Sequence, residues 1–120
     1  MKIANPIGKK GEDVATEYLQ KKGYTIIERN FRKKYTEIDI IAVHNGILVF
    51  IEVKTRSSKT FGSPIEGISK FKLKSLMYTA ILYKQLHPLL PEGLRIDAVV
   101  ILLSKNQEIL KIEHIENITD

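Results

Sequence analysis

The sequence contains no cysteine, which excludes disulfides and every thiolate metal site. It also lacks long hydrophobic runs. The run AVVILL at residues 98–103 falls far short of the roughly 20 apolar residues that cross a bilayer. The N-terminal stretch MKIANPIGKKGEDVA has no apolar segment of the secretory type. A cytoplasmic protein with no membrane partner is therefore expected. Repeats, low-complexity tracts and dividing linkers are absent as well. With 120 residues, 43% apolar and 28% charged, the chain is expected to fold as a single domain over residues 1–120.

What is present is an uneven distribution of charge around a net +5. Residues 1–35 hold nine Lys/Arg against four acids, and residues 54–74 hold six against one. Between them, residues 36–53 carry only Glu37, Asp39 and Glu52. An acidic knot between two basic blocks suits a polyanion held around a metal-binding centre. Taken singly, a run such as RKK at 32–34 reads more readily as solvated surface.

The periodicity predicts a helix over residues 9–22, with Gly23 as its C-cap. At about 100° per residue, Val14, Ala15, Tyr18 and Leu19 share an apolar face, and Asp13 and Glu17 point away from it. Glu12 falls at the margin of the apolar face, where a surface acid does not belong. The stretch YTIIERN reads as a short strand. Strands over 36–43 and 47–54 are then joined at Asn45-Gly46, a strong hairpin signal. With those two as the loop, Asp39 faces Glu52 and Glu37 faces Lys54, with Cβ atoms about 5 Å apart. Ile38, Ile40 and Ala42 form one face with Val49, Ile51 and Val53. The other face carries Ile41, Val43, Leu48 and Phe50, then the charges. Strands apolar on both faces belong inside a sheet covered on each side. Ser63-Pro64 with Glu66, or else Ser69, signals the start of a long helix over 69–86. Its expected buried stripe is Leu73, Leu76, Met77, Ala80 and Ile81. A buried strand at 95–103 and a final amphipathic strand or turn, EILKIEHIEN, complete the order α-β-β-β-α-β-β. The expected fold class is α/β, a mixed sheet flanked by helices.

Two carboxylates in such proximity repel unless a cation or proton lies between them. Oxygen-only ligands suit Mg²⁺ or Mn²⁺. Asp39 and Glu52 are the candidate metal ligands, and Glu12 joins them if its helix packs beside this rim. Lys54, on the same face as Glu52, is placed to orient a water or to stabilise charge growing on a phosphate. The competing reading is a surface cluster of ion pairs, Glu37–Lys54 and Asp39 with a nearby base. It is weakened by the buried apolar residues that these acids flank.

Asp39, then twelve intervening residues, then Glu52-Val53-Lys54, is similar to the D…(D/E)XK signature of the PD-(D/E)XK nuclease superfamily. More closely, the chain resembles the YraN-like family of small bacterial proteins. The resemblance rests on GKKGEDVATEYLQKKGY at 8–24, ERNFR at 28–32, EIDII at 37–41, VFIEVKTR at 49–56, FGSPIEGISKFK at 61–72 and RIDAVV at 95–100. Archaeal Holliday-junction resolvases look like more distant relatives. The resemblance implies a restriction-endonuclease-like fold, Asp39 and Glu52 as metal ligands, Lys54 as the catalytic lysine, and Glu12 as the helix glutamate of the resolvase-like branch. Thr36 stands where the family usually has Gly, and Ile38 where the PD form has Pro. The implied activity is that of an Mg²⁺-dependent endonuclease, a hydrolase of DNA phosphodiesters acting as a homodimer on branched or otherwise structured DNA. The alternative is a non-catalytic nucleic-acid-binding module or an interaction subunit of a DNA-processing complex.

Lys33, Lys34, Arg56 and Lys59 are candidates for gripping a nucleic-acid backbone, against the plainer reading of solvated side chains. Lys70 matches a lysine of the family pattern and is either a phosphate contact or a helix-surface base. Tyr35 can stack on a base or simply pack. Arg95 and Asp97 read as a structural ion pair, and no histidine stands out as a metal ligand.

Overall fold

A computed structural model describes residues 6–34, 36–57 and 67–119. The candidate cap at Ser63-Pro64 with Glu66, and the nucleic-acid candidates Tyr35 and Lys59, lie outside these residues. The elements are α1 (Pro6–Lys21), β1 (Thr25–Lys33), β2 (Thr36–His44), β3 (Ile47–Ser57), α2 (Lys70–Leu86), β4 (Gly93–Leu103) and β5 (Ile109–Ile115). This is the expected α-β-β-β-α-β-β order. The five strands lie in sequence order in one sheet. All neighbours are antiparallel except β3 and β4, which run parallel and therefore need the long crossover that α2 provides. Among the described residues, no helix is long and apolar enough to cross a membrane.

Local signals account for most of this framework. α1 ends in a Schellman motif. Gly23 takes φ +93°, its N–H donates to Gln20 O at 3.0 Å, and Tyr24 N–H donates to Leu19 O at 3.0 Å. Asn45 and Gly46, at φ +50° and +75°, make the tight turn that sets the hairpin register from His44–Ile47 to Ile40–Ile51. At the start of α2, the Ser69 hydroxyl accepts from Lys72 N–H at 3.0 Å, satisfying one of the helix's unpaired donors.

Each face of the sheet buries its own core. Ala15 and Leu19 of α1 pack on Ile40, Ala42, Val49, Ile51, Val99 and Ile101. On the opposite face, Leu76, Ala80 and Tyr83 of α2 pack on Ile38, Ile41, Leu48, Phe50 and Ile96. Each fully buried side chain of this size contributes about 1.5–3 kcal/mol.

Two sequence expectations are corrected here. Ile38 packs on the α2 face rather than beside Ile40. Strict alternation fails because Asn30, between the paired Arg29–Ile40 and Phe31–Ile38, takes φ +56° and twists the edge of the sheet at Asp39. In α2, Met77 and Ile81 are exposed, and Thr79 and Tyr83 are buried in their place. The helix carries apolar residues around much of its circumference, so periodicity alone does not fix its roll. Tyr83 does: its ring packs edge-on against Phe31 and Phe50, and its hydroxyl donates to Glu28 Oε1 at 2.9 Å.

Candidate functional site

The site forms where β3 parts from β2. The β2–β3 ladder ends at Ile40–Ile51, whereas β3 continues beside β4 as far as Ser57–Leu103. The expected ladder pairs Asp39–Glu52 and Glu37–Lys54 are therefore not made. Instead, the side chain of Asp39 substitutes for a strand partner, and its Oδ2 accepts from Val53 N–H at 2.7 Å. This bond fixes the carboxylate in the mouth of the splay.

Glu52 follows on β3 and is only 6% exposed. Its Oε1 accepts from Lys72 Nζ at 2.8 Å and lies 3.7 Å from Lys54 Nζ. Its Oε2 is buried and has no hydrogen-bond partner among the described residues. A buried carboxylate oxygen left in this way carries a desolvation cost that only a donor or a cation offsets.

α1 reaches this rim because Gly11 is buried against β3, where an added Cβ would run into Thr55 Oγ1. A glycine inside a helix costs about 1 kcal/mol relative to alanine; here it permits close approach and places the next residue, Glu12, beside the cluster. One carboxylate oxygen from each of Glu12, Glu37 and Asp39 lies within 4.8 Å of the others. Glu12 is also 3.8 Å from Arg29 Nη2, and Glu37 accepts from Arg32 Nη2, its β1 neighbour, at 2.7 Å.

This crowding shifts the ionisable groups. Burial, and then the charge of Glu52, push Asp39 up to about 7, with Glu12 and Glu37 adding to the rise and the Val53 N–H opposing it. Burial followed by the charge of Lys72 lowers Lys54. For Lys72 burial opposes the charge, but the hydrogen bond and charge of Glu52 outweigh it and raise its pKa.

Asp39 and Glu52 line two grooves. The larger, about 1200 Å³, lies between the first half of α2 and the β1–β2 edge, and Lys33 and Lys34 border it. The smaller, about 420 Å³, is bordered by Glu12, Lys54 and Arg56. The structure thus brings Glu12, Asp39, Glu52 and Lys54 together, with Arg56 on one side and Lys33 and Lys34 on the other. Lys70 is exposed and borders neither groove. Lys72 reaches Glu52 instead, a choice set by the roll of α2 that the sequence pattern SKFK leaves open. Sequence reasoning placed Glu37 in the charged cluster but not among the candidate metal ligands, and it missed Gly11 as the residue that admits α1. The unexplained glycine within the helical pattern was the available signal for the latter.

The donor set fits a hard divalent cation. The close group of Glu12, Glu37 and Asp39 is entirely oxygen, and its carboxylates repel one another when charged. Glu52, with a buried oxygen that has no partner among the described residues, borders the same grooves but stands outside that group. By contrast, Arg95 and Asp97 form the expected ion pair, with Nε to Oδ1 at 2.9 Å, and border neither groove.

The sequence matches the family described as Uncharacterised protein family UPF0102 over residues 11–101. It is 42% identical to a UPF0102 protein of Syntrophomonas wolfei, covering 92% of this chain and 95% of that one. A UPF0102 protein of Dictyoglomus turgidum is 40% identical, with 92% and 94% covered. One from Flavobacterium psychrophilum is 44% identical, with 94% and 92% covered. Glu12, Asp39, Glu52 and Lys54 all lie within the family match, and the chain belongs to the uncharacterised protein family UPF0102, the YraN-like family that its motifs resemble.

Proposed function

We propose that this chain is a metal-dependent endonuclease of the PD-(D/E)XK type that hydrolyses phosphodiester bonds in DNA in the cytoplasm. The observation that carries the reading is the buried Oε2 of Glu52, unpartnered among the described residues, on a residue that lines one groove with Asp39, Glu12 and Lys54 and a second with Asp39. Asp39 and Glu52 would hold Mg²⁺ or Mn²⁺, with Glu12 completing or tuning the set. The ion would supply positive charge to polarise the scissile phosphate.

The remaining work falls to the chain's own groups. Lys54 Nζ, 3.7 Å from Glu52, orients the attacking water, whose proton passes to solvent, and offsets the negative charge growing on the phosphate. The water oxygen bonds to phosphorus as the bond to the leaving oxygen breaks. Lys72 secures Glu52 by a 2.8 Å hydrogen bond. Arg56 on one side, with Lys33 and Lys34 on the other, steadies the backbone of the nucleic acid. A chain this small spans few base pairs, so two copies acting together on branched or structured DNA complete the proposal.

The test is cleavage of labelled branched, flapped, single-stranded and duplex DNA with Mg²⁺ or Mn²⁺. Wild type is expected to cut, and Lys54→Ala, purified identically, to lose at least a hundred-fold in rate while still binding DNA. Equal cutting by Lys54→Ala would sink the mechanism. Salt-sensitive binding without cutting by wild type would favour a non-catalytic nucleic-acid-binding module.

A further inference from the structure

The larger groove has a feature that cation binding and hydrolysis do not use. Phe71 and Tyr78, 80% and 69% exposed, both line it. They are seven residues apart on α2, so they lie on one helix face about 10 Å apart along the axis. That distance corresponds to about three base steps at 3.4 Å. Lys74 sits between them in sequence, and Lys33 and Lys34 also line the groove; all three are exposed. Arg32 and Lys72, in the same wall, are held by Glu37 and Glu52. The surface therefore alternates aromatic faces with cations, and it leads to Asp39 and Glu52 at the floor.

We infer that this groove binds an unpaired polynucleotide strand, with bases stacked on Phe71 and Tyr78 and phosphates held by Lys33, Lys34 and Lys74. The inference rests on reading the carboxylate cluster as a nuclease site, and it names the substrate class as one with a single-stranded segment on the α2 side of the cut. Stacking platforms interleaved with cations suit single strands because every base has a π face free to stack. The bases of a closed duplex are already stacked on one another and offer no such face. Charge complementarity favours a polyanion over an apolar protein surface for this half of α2, since three exposed lysines border the rings.

The test is binding of a labelled mixed-sequence oligonucleotide of about 15 nucleotides, and of the matching duplex, by fluorescence anisotropy in EDTA so that nothing is cut. Wild type is expected to prefer the single strand. Phe71→Ala and Tyr78→Ala should each weaken single-strand binding about ten-fold or more and change duplex binding less than two-fold. Phe71→Trp should restore single-strand binding. Both side chains are exposed, so an unchanged melting temperature should accompany the loss. Alanine variants that bind the single strand like wild type, or that lose single strand and duplex equally, would overturn the inference. A dimer dissociated by these same changes, without effect on DNA, would show the rings to be a protein interface. The two readings fail separately. Ring-dependent single-strand binding by a protein that never cuts removes the nuclease reading alone. Cutting with ring-independent binding removes this inference alone.

Discussion

Two aspartates in this molecule, Asp97 buried and Asp39 half-buried, have opposite surroundings. Asp97 on β4 is 0% exposed and receives Arg95 Nε at 2.9 Å, Arg95 Nη2 at 3.0 Å and Asn117 N–H at 2.9 Å, with His114 Nε2 at 2.8 Å. Lys22 Nζ lies 2.9 Å from His114 Nδ1, which assigns the imidazole proton to the nitrogen facing Asp97. Burial would raise the Asp97 pKa, but the His114 and Arg95 hydrogen bonds outweigh it and hold the carboxyl below its usual range. Asp39 on β2 accepts from one backbone N–H and is surrounded by Glu52, Glu12 and Glu37, and burial with these charges raises it to about 7. The protein supplies the positive charge around Asp97 itself. Around Asp39 it assembles mostly negative charge, the contrast expected between the proposed cation site and a structural ion pair.

The largest expected effect comes from breaking the satisfied network. Asp97→Ala leaves Arg95 and His114 without their buried acceptor and is expected to cost about 3–5 kcal/mol, a fall in melting temperature of roughly 10–20 °C. A loss below about 1 kcal/mol in a denaturant titration would mean that the network contributes little.

Asp39→Asn is expected to act in the opposite direction. The folded-state pKa is about 7 against an ordinary value of 3.8, so between these pH values the folded chain holds a proton that the unfolded chain has released. Stability from this group is complete below about pH 4, falls as pH rises, and is lost above about pH 7. In EDTA, Asp39→Asn should therefore be more stable than wild type at pH 8, by at most about 4 kcal/mol, and gain nothing at pH 4. A variant less stable than wild type at pH 8 would contradict the assignment of Asp39 as a strained acid.

The smallest effect sharpens the comparison at the edge of the Asp97 network. The Tyr24 hydroxyl accepts from Arg95 Nη2 at 2.9 Å, and its ring stacks on His44 with centroids 4.0 Å apart. Tyr24→Phe keeps the stack and removes one acceptor, so a cost of about 0.5–1.5 kcal/mol is expected from thermal denaturation. A cost as large as that of Asp97→Ala would make the hydroxyl, not the carboxylate, the centre of the network.

The sequence revealed these two regions to different depths. The Asn45-Gly46 turn, the Gly23 cap and the Ser69 cap are short-range features, decided by residues within a few positions of one another, and each formed as read. The gathering of Glu37, Asp39, Glu52 and Lys54 was legible because a hairpin register follows from its turn. Its geometry was not. The ladder stops at Ile40–Ile51 because β3 continues beside β4 and parts from β2, a long-range event without a local signature. Lys72 rather than Lys70 reaches Glu52 for a similar reason, since the roll of α2 depends on Tyr83 meeting Glu28, Phe31 and Phe50 from distant parts of the chain. The Asp97 network was read only as the Arg95 pair. His114 and Asn117 come from β5 and the residues after it, and no spacing announced them.

The most direct test of the central claim is a Mn²⁺ titration of wild type, Glu52→Gln and Asp97→Asn at pH 8, followed by isothermal calorimetry. Wild type is expected to bind Mn²⁺, Glu52→Gln to bind at least ten-fold more weakly, and folded Asp97→Asn to bind like wild type. Wild type that takes up no Mn²⁺, or Glu52→Gln that binds as tightly as wild type, would contradict the assignment of this cluster as a cation site.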